Sequence, residues 1–145
     1  MSTEIAFIVI DDNELDCYIA KKAIEHTDKR LITETFNNAQ HALDAIRAKY
    51  YDDGNDSNST IILLDLKMPL MDGLKFVEEF EQFPSDIQEK YIIIILTIFS
   101  QAKYPNDIFR MLNHASVSKM IEKPLTKEKL FALLSEIKPD TFKNS

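Results

Sequence analysis

Short apolar runs alternate with helix-period segments along the chain. Strands are predicted near residues 5–10, 31–36, 61–65, 91–97 and 117–121. Between them, apolar residues recur every three or four positions, which is the period of a helix with one buried face. Strands that alternate with helices in this way form a parallel sheet with helices on both faces, so the pattern predicts an α/β fold. The 31–36 strand is the least marked, because its polar and apolar residues do not alternate.

The predicted helices have apolar faces and recognisable end signals. Their faces contain Ala39, Leu43, Ile46 and Tyr50; Val77, Phe80 and Phe83 before a stop at Pro84; Ile108, Phe109 and Leu112 after Pro105; and Leu130, Leu133, Leu134 and Ile137 before Pro139. Thr126 is the expected N-cap of the last helix. Residues 51–59 (YDDGNDSNS) have turn chemistry and predict an exposed loop.

Three of the predicted strands lead directly into charged residues. The first is followed by Asp11 and Asp12, the third reaches Asp65, and the fifth is followed by Glu122, Lys123 and Pro124. The C-terminal ends of parallel strands open onto one crevice, so we expect Asp11, Asp12, Asp65 and Lys123 to be neighbours. Helix capping explains any one of these residues. It does not predict acids on strands one and three together with the Thr97 hydroxyl on strand four and Lys-Pro on strand five.

Length and charge narrow the class of protein. The chain has 145 residues and a formal net charge of −7, which predicts one domain with a buried core and argues against nonspecific nucleic-acid binding. Its apolar runs are far shorter than the roughly 18 residues of a membrane span, and its start lacks the features of a secretory signal. We therefore expect a cytoplasmic protein with no membrane partner. Cys17 is the only cysteine, which excludes an intramolecular disulfide and a cysteine-rich metal site.

The acids, the lysine and the threonine suit phosphoryl transfer onto a carboxylate. Three crowded carboxylates repel one another and stay ionised at neutral pH only when a cation lies among them. Oxygen ligands select a hard ion, and Mg²⁺ uses one or two carboxylates while it keeps waters for phosphate oxygens. An Asp can then act as the nucleophile and form an aspartyl phosphate. A Lys ammonium and a Thr hydroxyl can stabilise the charge of that group.

Four blocks of this sequence resemble the receiver domain of two-component response regulators. They are Asp11-Asp12, the segment 65–73 (DLKMPLMDG), Thr97 and Lys123-Pro124. The similarity covers about residues 4–138, and the D-x-x-M-P-x-M-D-G stretch is highly specific. It implies a (βα)5 flavodoxin-like doubly wound parallel sheet with strand order 2-1-3-4-5. We expect a single receiver domain over 1–145, with a core of about 4–138 and a short C-terminal tail over 139–145.

The resemblance also implies a role for each acid. Asp65 would accept the phosphoryl group from a phosphohistidine of a sensor histidine kinase or a histidine phosphotransfer protein. Asp12 and Asp65 would bind Mg²⁺ directly, and Asp11 would act mostly through water. The backbone carbonyl of Lys67 would complete the protein ligands of the metal.

Further residues would contact the phosphoryl group or shape the site. Thr97 and Lys123 would contact the phosphoryl oxygens. The peptide bond between Lys123 and Pro124 is commonly cis in the family. Gly73, in the loop after strand three, would allow a backbone conformation with φ above zero.

Two positions depart from the family pattern. The residue after the strand-four hydroxyl is usually small, and here it is Ile98. Many receivers have an aromatic residue three positions before the Lys, whose ring turns inward when the Thr is drawn to the phosphate. This chain has Met120. The phosphorylation site is complete, whereas the usual switch, which would involve Thr97, Ile98 and Met120, differs from the family pattern at two of its three positions.

The resemblance implies a stand-alone, chemotaxis-type response regulator. Such a domain is not an enzyme, apart from its own phosphorylation and dephosphorylation, and it relays a signal to a downstream protein through a phosphorylation-dependent surface change. We expect a monomer or a weak dimer through the family's α4-β5-α5 face, which consists of the helix after strand four, strand five and the last helix.

Two other classes of protein are alternatives to this interpretation. A pseudo-receiver is an adaptor that binds a partner without being phosphorylated. The intact acids, Thr97 and Lys123 count against it, whereas Ile98 and Met120 count weakly for it. Phosphatases of the haloacid dehalogenase type need a second Asp two residues after the nucleophile. Position 13 is Asn and position 67 is Lys, so neither candidate site fits.

Overall fold

Strands and helices alternate along the part of the chain that the computed structural model describes, residues 5–52, 59–66, 73–98 and 105–137. The strands are β1 (Ile5–Ile10), β2 (Ile32–Phe36), β3 (Ser59–Leu64), β4 (Tyr91–Thr97) and β5 (Val117–Glu122). The helices are α1 (Glu14–Thr27), α2 (Ala39–Asp52), α3 (Gly73–Phe80), α4 (Ser85–Gln88), α5 (Pro105–Leu112) and α6 (Lys127–Ile137). All five predicted strands are present, with ends that differ by at most two residues.

The five strands form one parallel sheet in the order β2-β1-β3-β4-β5. This confirms the predicted doubly wound flavodoxin-like topology. Ile10 is aligned with Phe36 on one side and with Leu64 on the other. Asp11 and Asp65 therefore leave neighbouring strands at the same level. Thr97 is likewise aligned with Glu122, the residue before Lys123.

Two apolar layers cover the two faces of the sheet. Successive strand side chains point to opposite faces, so Ile62 and Leu64 belong to one layer while Ile61 and Leu63 belong to the other. The first layer is completed by α2, α3 and Met111 of α5. The second is completed by α1 and α6. Burial on both faces explains why β1, β3 and β4 are nearly continuous apolar runs.

Strand β2 lies at an edge of the sheet, which explains its weak sequence signal. Only one neighbouring strand, β1, pairs with it. None of its five residues is fully buried, and Ile32 is 53% exposed. A strand in this position does not need the continuous apolar sequence of the central strands.

The predicted end of the third helix was wrong. Helix α3 ends at Phe80, and Phe83 lies in the turn that follows. A residue that precedes a proline is pushed out of the helical region, which ends the helix before Pro84. Phe83 nevertheless packs against the first apolar layer, and its ring meets that of Phe80 edge to face at 5.9 Å. The short helix α4, which begins after Pro84, was not predicted.

Two other predicted boundaries can be compared with the structure. Thr126 is the N-cap of α6, because its hydroxyl accepts a hydrogen bond of 3.2 Å from the backbone N–H of Lys129. The loop predicted over 51–59 was wrong at both ends, because α2 extends to Asp52 and β3 begins at Ser59. The Tyr50 hydroxyl donates a hydrogen bond of 3.0 Å to the Asp86 carboxylate, and this bond connects the end of α2 to α4. Residues 53–58 lie outside the described part of the chain.

No helix within the described residues is long and apolar enough to cross a membrane.

Candidate functional site

Asp11 is held in a fixed position directly after β1. Its backbone N–H donates to the carbonyl of Phe36 at 3.0 Å, and its carboxylate accepts a hydrogen bond from the backbone N–H of Asn13, also at 3.0 Å. The residue is only 2% exposed. Asp12, the next residue, is exposed. One acid therefore lies inside the crevice and the other at its rim.

Asp65 meets these two acids from the neighbouring strand. Its backbone N–H donates to the carbonyl of Ile10 at 3.0 Å, which ties the ends of β3 and β1 together. One ligand oxygen from each of Asp11, Asp12 and Asp65 can be chosen so that all three lie within 4.8 Å of one another. The predicted convergence of the three acids is thus present in the structure.

Lys123 reaches the same crevice from the end of β5. Its backbone N–H donates to the carbonyl of Thr97 at 2.8 Å, and its peptide bond to Pro124 is cis, as the resemblance implied. Its ammonium nitrogen lies 2.7 Å from Asp11 and 3.5 Å from Asp65. The lysine side chain is 10% exposed. The four residues predicted to be neighbours are therefore all at one site.

The acids keep Lys123 charged. Burial lowers the pKa of its ammonium, but hydrogen bonds to Asp11 and Asp16 and the nearby charge of Asp65 raise it further, so the pKa lies above its ordinary value of 10.5. A protonated lysine can donate hydrogen bonds but cannot act as a base at neutral pH. Its role at this site is therefore electrostatic.

Thr97 and the two unusual positions lie on the β4 and β5 side of the crevice. Thr97 is the last residue of β4 and is 7% exposed. Ile98 is half-buried and lines a cavity together with Lys123 and Pro124. Met120 is partly buried and packs against the first apolar layer. Ile98 thus lies beside Lys123, whereas Met120 belongs to the packing of the core.

The segment between β3 and α3 is described only at its two ends. Lys67, whose carbonyl was an expected metal ligand, and the other residues of 67–72 lie outside the described part of the chain. The expectation for Gly73 was wrong, because this glycine does not have a positive φ. A Cβ at Gly73 would lie 2.9 Å from the carbonyl oxygen of Asp65 and 3.1 Å from the Leu66 Cα. Glycine is required for this close backbone approach and not for an unusual conformation.

Asp16 is a member of the site that the sequence analysis missed. It lies in the first turn of α1, and its carboxylate accepts a hydrogen bond of 2.9 Å from the Lys123 ammonium. Acids are common in the first turn of a helix because they favour the positive end of its dipole. The position of Asp16 in the sequence therefore indicates only a helix start and not a member of the site.

Cys17 has a structural environment rather than a reactive one. Its thiol donates to the carbonyl oxygen of Asp11 at 3.2 Å. Burial, followed by the negative charge of Asp11, raises the pKa of the thiol to about 11. A protonated thiol is a poor nucleophile, and the half-buried Cys17 side chain therefore has a packing role.

The arrangement suits a hard divalent cation. Among the described residues, Asp11, Asp12, Asp65 and Asp16 bring four carboxylates to the Lys123 ammonium. Such an excess of negative charge favours a bound cation. Carboxylate oxygens are the ligands that Mg²⁺ and similar ions prefer. Asp11, Asp12 and Asp65 are the residues that could hold it.

An α/β sheet of this order, with an acid cluster and a lysine at the C-terminal ends of its strands, defines the class of the protein. The family model of the response regulator receiver domain matches residues 7–135. The chain therefore belongs to the response regulator receiver family of two-component signalling.

Individual relatives agree with this assignment. The chain is 32% identical over 83 residues to probable histidine kinase 1 of Oryza sativa subsp. indica, an alignment of 55% of this chain and 8% of that protein. It is 32% identical over 97 residues to the protein-glutamate methylesterase/protein-glutamine glutaminase of Treponema pallidum, covering 67% and 21%. The chain thus spans only a small part of these curated relatives.

A solved structure of similar size supports the fold. The response regulator receiver protein of Dyadobacter fermentans has a TM-score of 0.76 to this chain and 26% sequence identity. The similarity covers 91% of this chain and 96% of that one.

Proposed function

We propose that this chain is a response regulator that accepts a phosphoryl group on Asp65 from the phosphohistidine of a sensor histidine kinase or a phosphotransfer protein. The observation that carries the proposal is the position of Asp65, which converges with Asp11 and Asp12 and lies 3.5 Å from the Lys123 ammonium. Helix capping does not account for such a group. Only 12% of the Asp65 side chain is exposed. A phosphohistidine that docks at this opening can therefore exclude bulk water from the carboxylate.

In the proposed reaction, an oxygen of Asp65 attacks the phosphorus atom of the phosphohistidine. The new O–P bond forms as the P–N bond breaks, and the imidazole leaves with the electron pair and takes up a proton. Lys123 offsets the negative charge on the phosphoryl oxygens, and the hydroxyl of Thr97 donates a hydrogen bond to them.

Asp11, Asp12 and Asp65, with the Lys67 carbonyl that the resemblance implies, would hold Mg²⁺. The bound ion would reduce the repulsion among the acids and between them and the phosphoryl oxygens. We assign the reaction to the cytoplasm, in keeping with the prediction from the sequence.

The output surface that we propose is formed by α5, β5 and α6, which correspond to the α4-β5-α5 face of the family because α4 here is an additional short helix. Phe109 is 66% exposed, Leu112 is 42% exposed and Phe131 is 38% exposed on this face. Lys123 and Met120 belong to β5 or directly follow it, so a change at the site has a short route to the surface. A downstream protein or a second copy would bind there.

Mass spectrometry after incubation with phosphoramidate and Mg²⁺ tests the phosphoacceptor. Wild type should gain the mass of one phosphoryl group, and Asp65→Asn should not, because the amide keeps the shape but lacks the attacking oxygen. Asp44→Asn, which changes an exposed acid on α2, is the matched control and should be labelled like wild type. A label that persists on Asp65→Asn, or that maps to a Ser or Thr, would contradict the proposal. Absence of the label on wild type would favour the pseudo-receiver.

A further inference from the structure

Lys123 donates hydrogen bonds to two acids of different kinds, Asp11 and Asp16. Asp11 belongs to the cluster that could hold a metal, but Asp16 does not. The ammonium of Lys123 lies 2.7 Å from Asp11 and 2.9 Å from Asp16. The distance to Asp65 is longer, at 3.5 Å. The ammonium therefore lies nearer to the acids on the β1 and α1 side than to the proposed phosphoacceptor.

The position of Asp16 is itself well defined. Its backbone N–H donates to the side-chain oxygen of Asn13 at 3.0 Å, the N-cap bond of α1. Its carboxyl side chain is 30% exposed, whereas that of Asp11 is 3% exposed. Asp16 thus contacts Lys123 from α1, on the more exposed side of the crevice.

We infer that Asp16 is a positioning residue that holds the Lys123 ammonium on the α1 side of the site and competes with modified Asp65 for it. The inference rests on the proposed function of Asp65. A phosphoryl group adds between one and two negative charges and three acceptor oxygens. It attracts the ammonium, which must shorten its 3.5 Å distance to Asp65 and weaken its bond to Asp16.

The α1 side of the lysine is open. A cavity of about 210 Å³ on this side is lined by Asp16 and Ile19 of α1, Ile98, Lys123 and Pro124, among others, but not by Asp65. The contact between Lys123 and Asp16 is therefore not enclosed by packed core side chains, and it can weaken without displacing them. Asp11 would share its charge with a bound cation, whereas Asp16 lies outside the acid cluster and keeps its full charge for the lysine.

Binding of beryllofluoride in the presence of Mg²⁺ measures the competition, because it forms a phosphoryl-like adduct with a carboxylate. Asp16→Asn should bind it about three- to tenfold more tightly than wild type, the range expected for the loss of one partly exposed ion pair. Glu14→Gln removes an equal charge from the same turn of α1 and is the matched control. It should change the affinity much less.

A double-mutant cycle with Lys123→Ala separates positioning from simple charge repulsion. In the Lys123→Ala background, Asp16→Asn should no longer tighten binding. Equal tightening with and without the lysine would overturn the inference. So would an equal effect of Glu14→Gln, or weaker binding by Asp16→Asn.

A second measurement uses the unmodified protein. In protein with ¹⁵N-labelled lysine, proton exchange of the Lys123 ammonium should be about three- to tenfold faster in Asp16→Asn than in wild type, and unchanged in Glu14→Gln. Unchanged exchange in Asp16→Asn would refute the positioning role. If wild type formed no adduct but exchange increased as expected, the proposed function and the competition would both be wrong, while the Asp16 contact itself would stand.

Discussion

The Lys123 ammonium lies 3.5 Å from the Asp65 carboxylate and 2.7 Å from Asp11. A change of charge at Asp11 or at Asp65, which follow neighbouring strands, therefore acts on the ammonium. Because the backbone of Lys123 is also bonded to the carbonyl of Thr97, a movement of the lysine changes the junction of β4 and β5. This relationship connects the proposed phosphoacceptor to the end of β5, which belongs to the proposed output surface.

Replacement of Lys123 should separate modification from its structural effect. We expect Lys123→Ala to be phosphorylated but to show much smaller amide shift changes at Ile98 and in β5 than wild type, because no ammonium follows the new charge. NMR spectra with and without beryllofluoride measure this. Lys119→Ala removes a lysine of β5 that pairs instead with Glu136, and it should respond like wild type. Shift changes in Lys123→Ala as large as those in wild type would argue against the role.

Replacement of Asp12 should remove the metal dependence without unfolding the domain. Asp12 is exposed, so Asp12→Ala loses no buried contact and relieves repulsion from Asp11 and Asp65. We expect its stability without Mg²⁺ to equal that of wild type or to exceed it by up to about 1 kcal/mol. Added Mg²⁺ should raise the melting temperature of wild type but not that of the variant. Phosphorylation of Asp12→Ala at the wild-type rate would show that the metal assignment is wrong.

Replacement of Gly73 tests the steric explanation for this glycine. In an ordinary helix an added methyl group would stabilise the protein. At Gly73 it would instead meet backbone atoms of Asp65 and Leu66 at 2.9 to 3.1 Å, which cannot turn aside as a side chain can. We expect Gly73→Ala to lower the free energy of unfolding by about 1–3 kcal/mol, measured by urea denaturation. A gain in stability would mean that the backbone of Asp65 and Leu66 moves aside easily.

Glu81 should contribute to stability in a pH-dependent way. Its carboxylate is bonded to His114 and to the hydroxyl of Ser116, each at 2.7 Å, which joins the end of α3 to the start of β5. Burial raises its pKa, but the hydrogen bonds with Ser116 and His114 lower it more, so the pKa in the folded protein lies below the ordinary value of 4.5. The stabilisation is therefore complete above that ordinary value and is lost as the pH falls through the folded-state pKa.

Urea denaturation of Glu81→Gln tests this contribution. At pH 7 the variant should be less stable than wild type by about 1 kcal/mol. The difference should shrink as the pH is lowered from 4.5 towards 3. Glu78→Gln replaces an exposed acid of α3 and should be close to wild type throughout. A difference between Glu81→Gln and wild type that did not depend on pH would show that the charge of Glu81 is not responsible.

The sequence was most informative where an apolar run ended in a charged residue. Burial on both faces makes β1 and β3 continuous apolar runs, so their ends, and hence the positions of Asp11 and Asp65, could be predicted. Parallel strands bring such ends together. The α/β class follows from this pattern, whereas the strand order and the residue roles were implied by the family resemblance.

Other features depended on three-dimensional contacts that no local pattern shows. Asp16 looks like an ordinary first-turn acid, and only the path of the long Lys123 side chain makes it part of the site. Gly73 suggests a special φ, but its actual reason is the nearby backbone of Asp65. Helix α4 has four residues, which is too short for a helical period to be recognised.

Ile98 should slow the loss of the phosphoryl group from Asp65. Hydrolysis requires a water molecule that approaches the phosphorus atom closely and in line. The family usually has a small residue at this position, whereas Ile98 places a branched side chain next to Thr97, in the lining of the cavity that also contains Lys123. We therefore expect the phosphorylated protein to decay slowly for a receiver. With Met120 packed against the core, the structural response should depend on Thr97 and the loop after β4 rather than on an aromatic ring.

The decay rate of phosphorylated Ile98→Ala provides the test. It should be about tenfold faster than that of wild type, which corresponds to about 1.4 kcal/mol of the activation barrier. Ile19→Ala removes an equal amount of apolar side chain from the α1 side of the same cavity. The phosphorylated form of this variant should decay like that of wild type, because Ile19 is not adjacent to Thr97 in the chain. If wild type and Ile98→Ala decayed equally, Ile98 would serve only in packing. If Ile19→Ala were also accelerated, the size of the cavity rather than the position of Ile98 would control access of water.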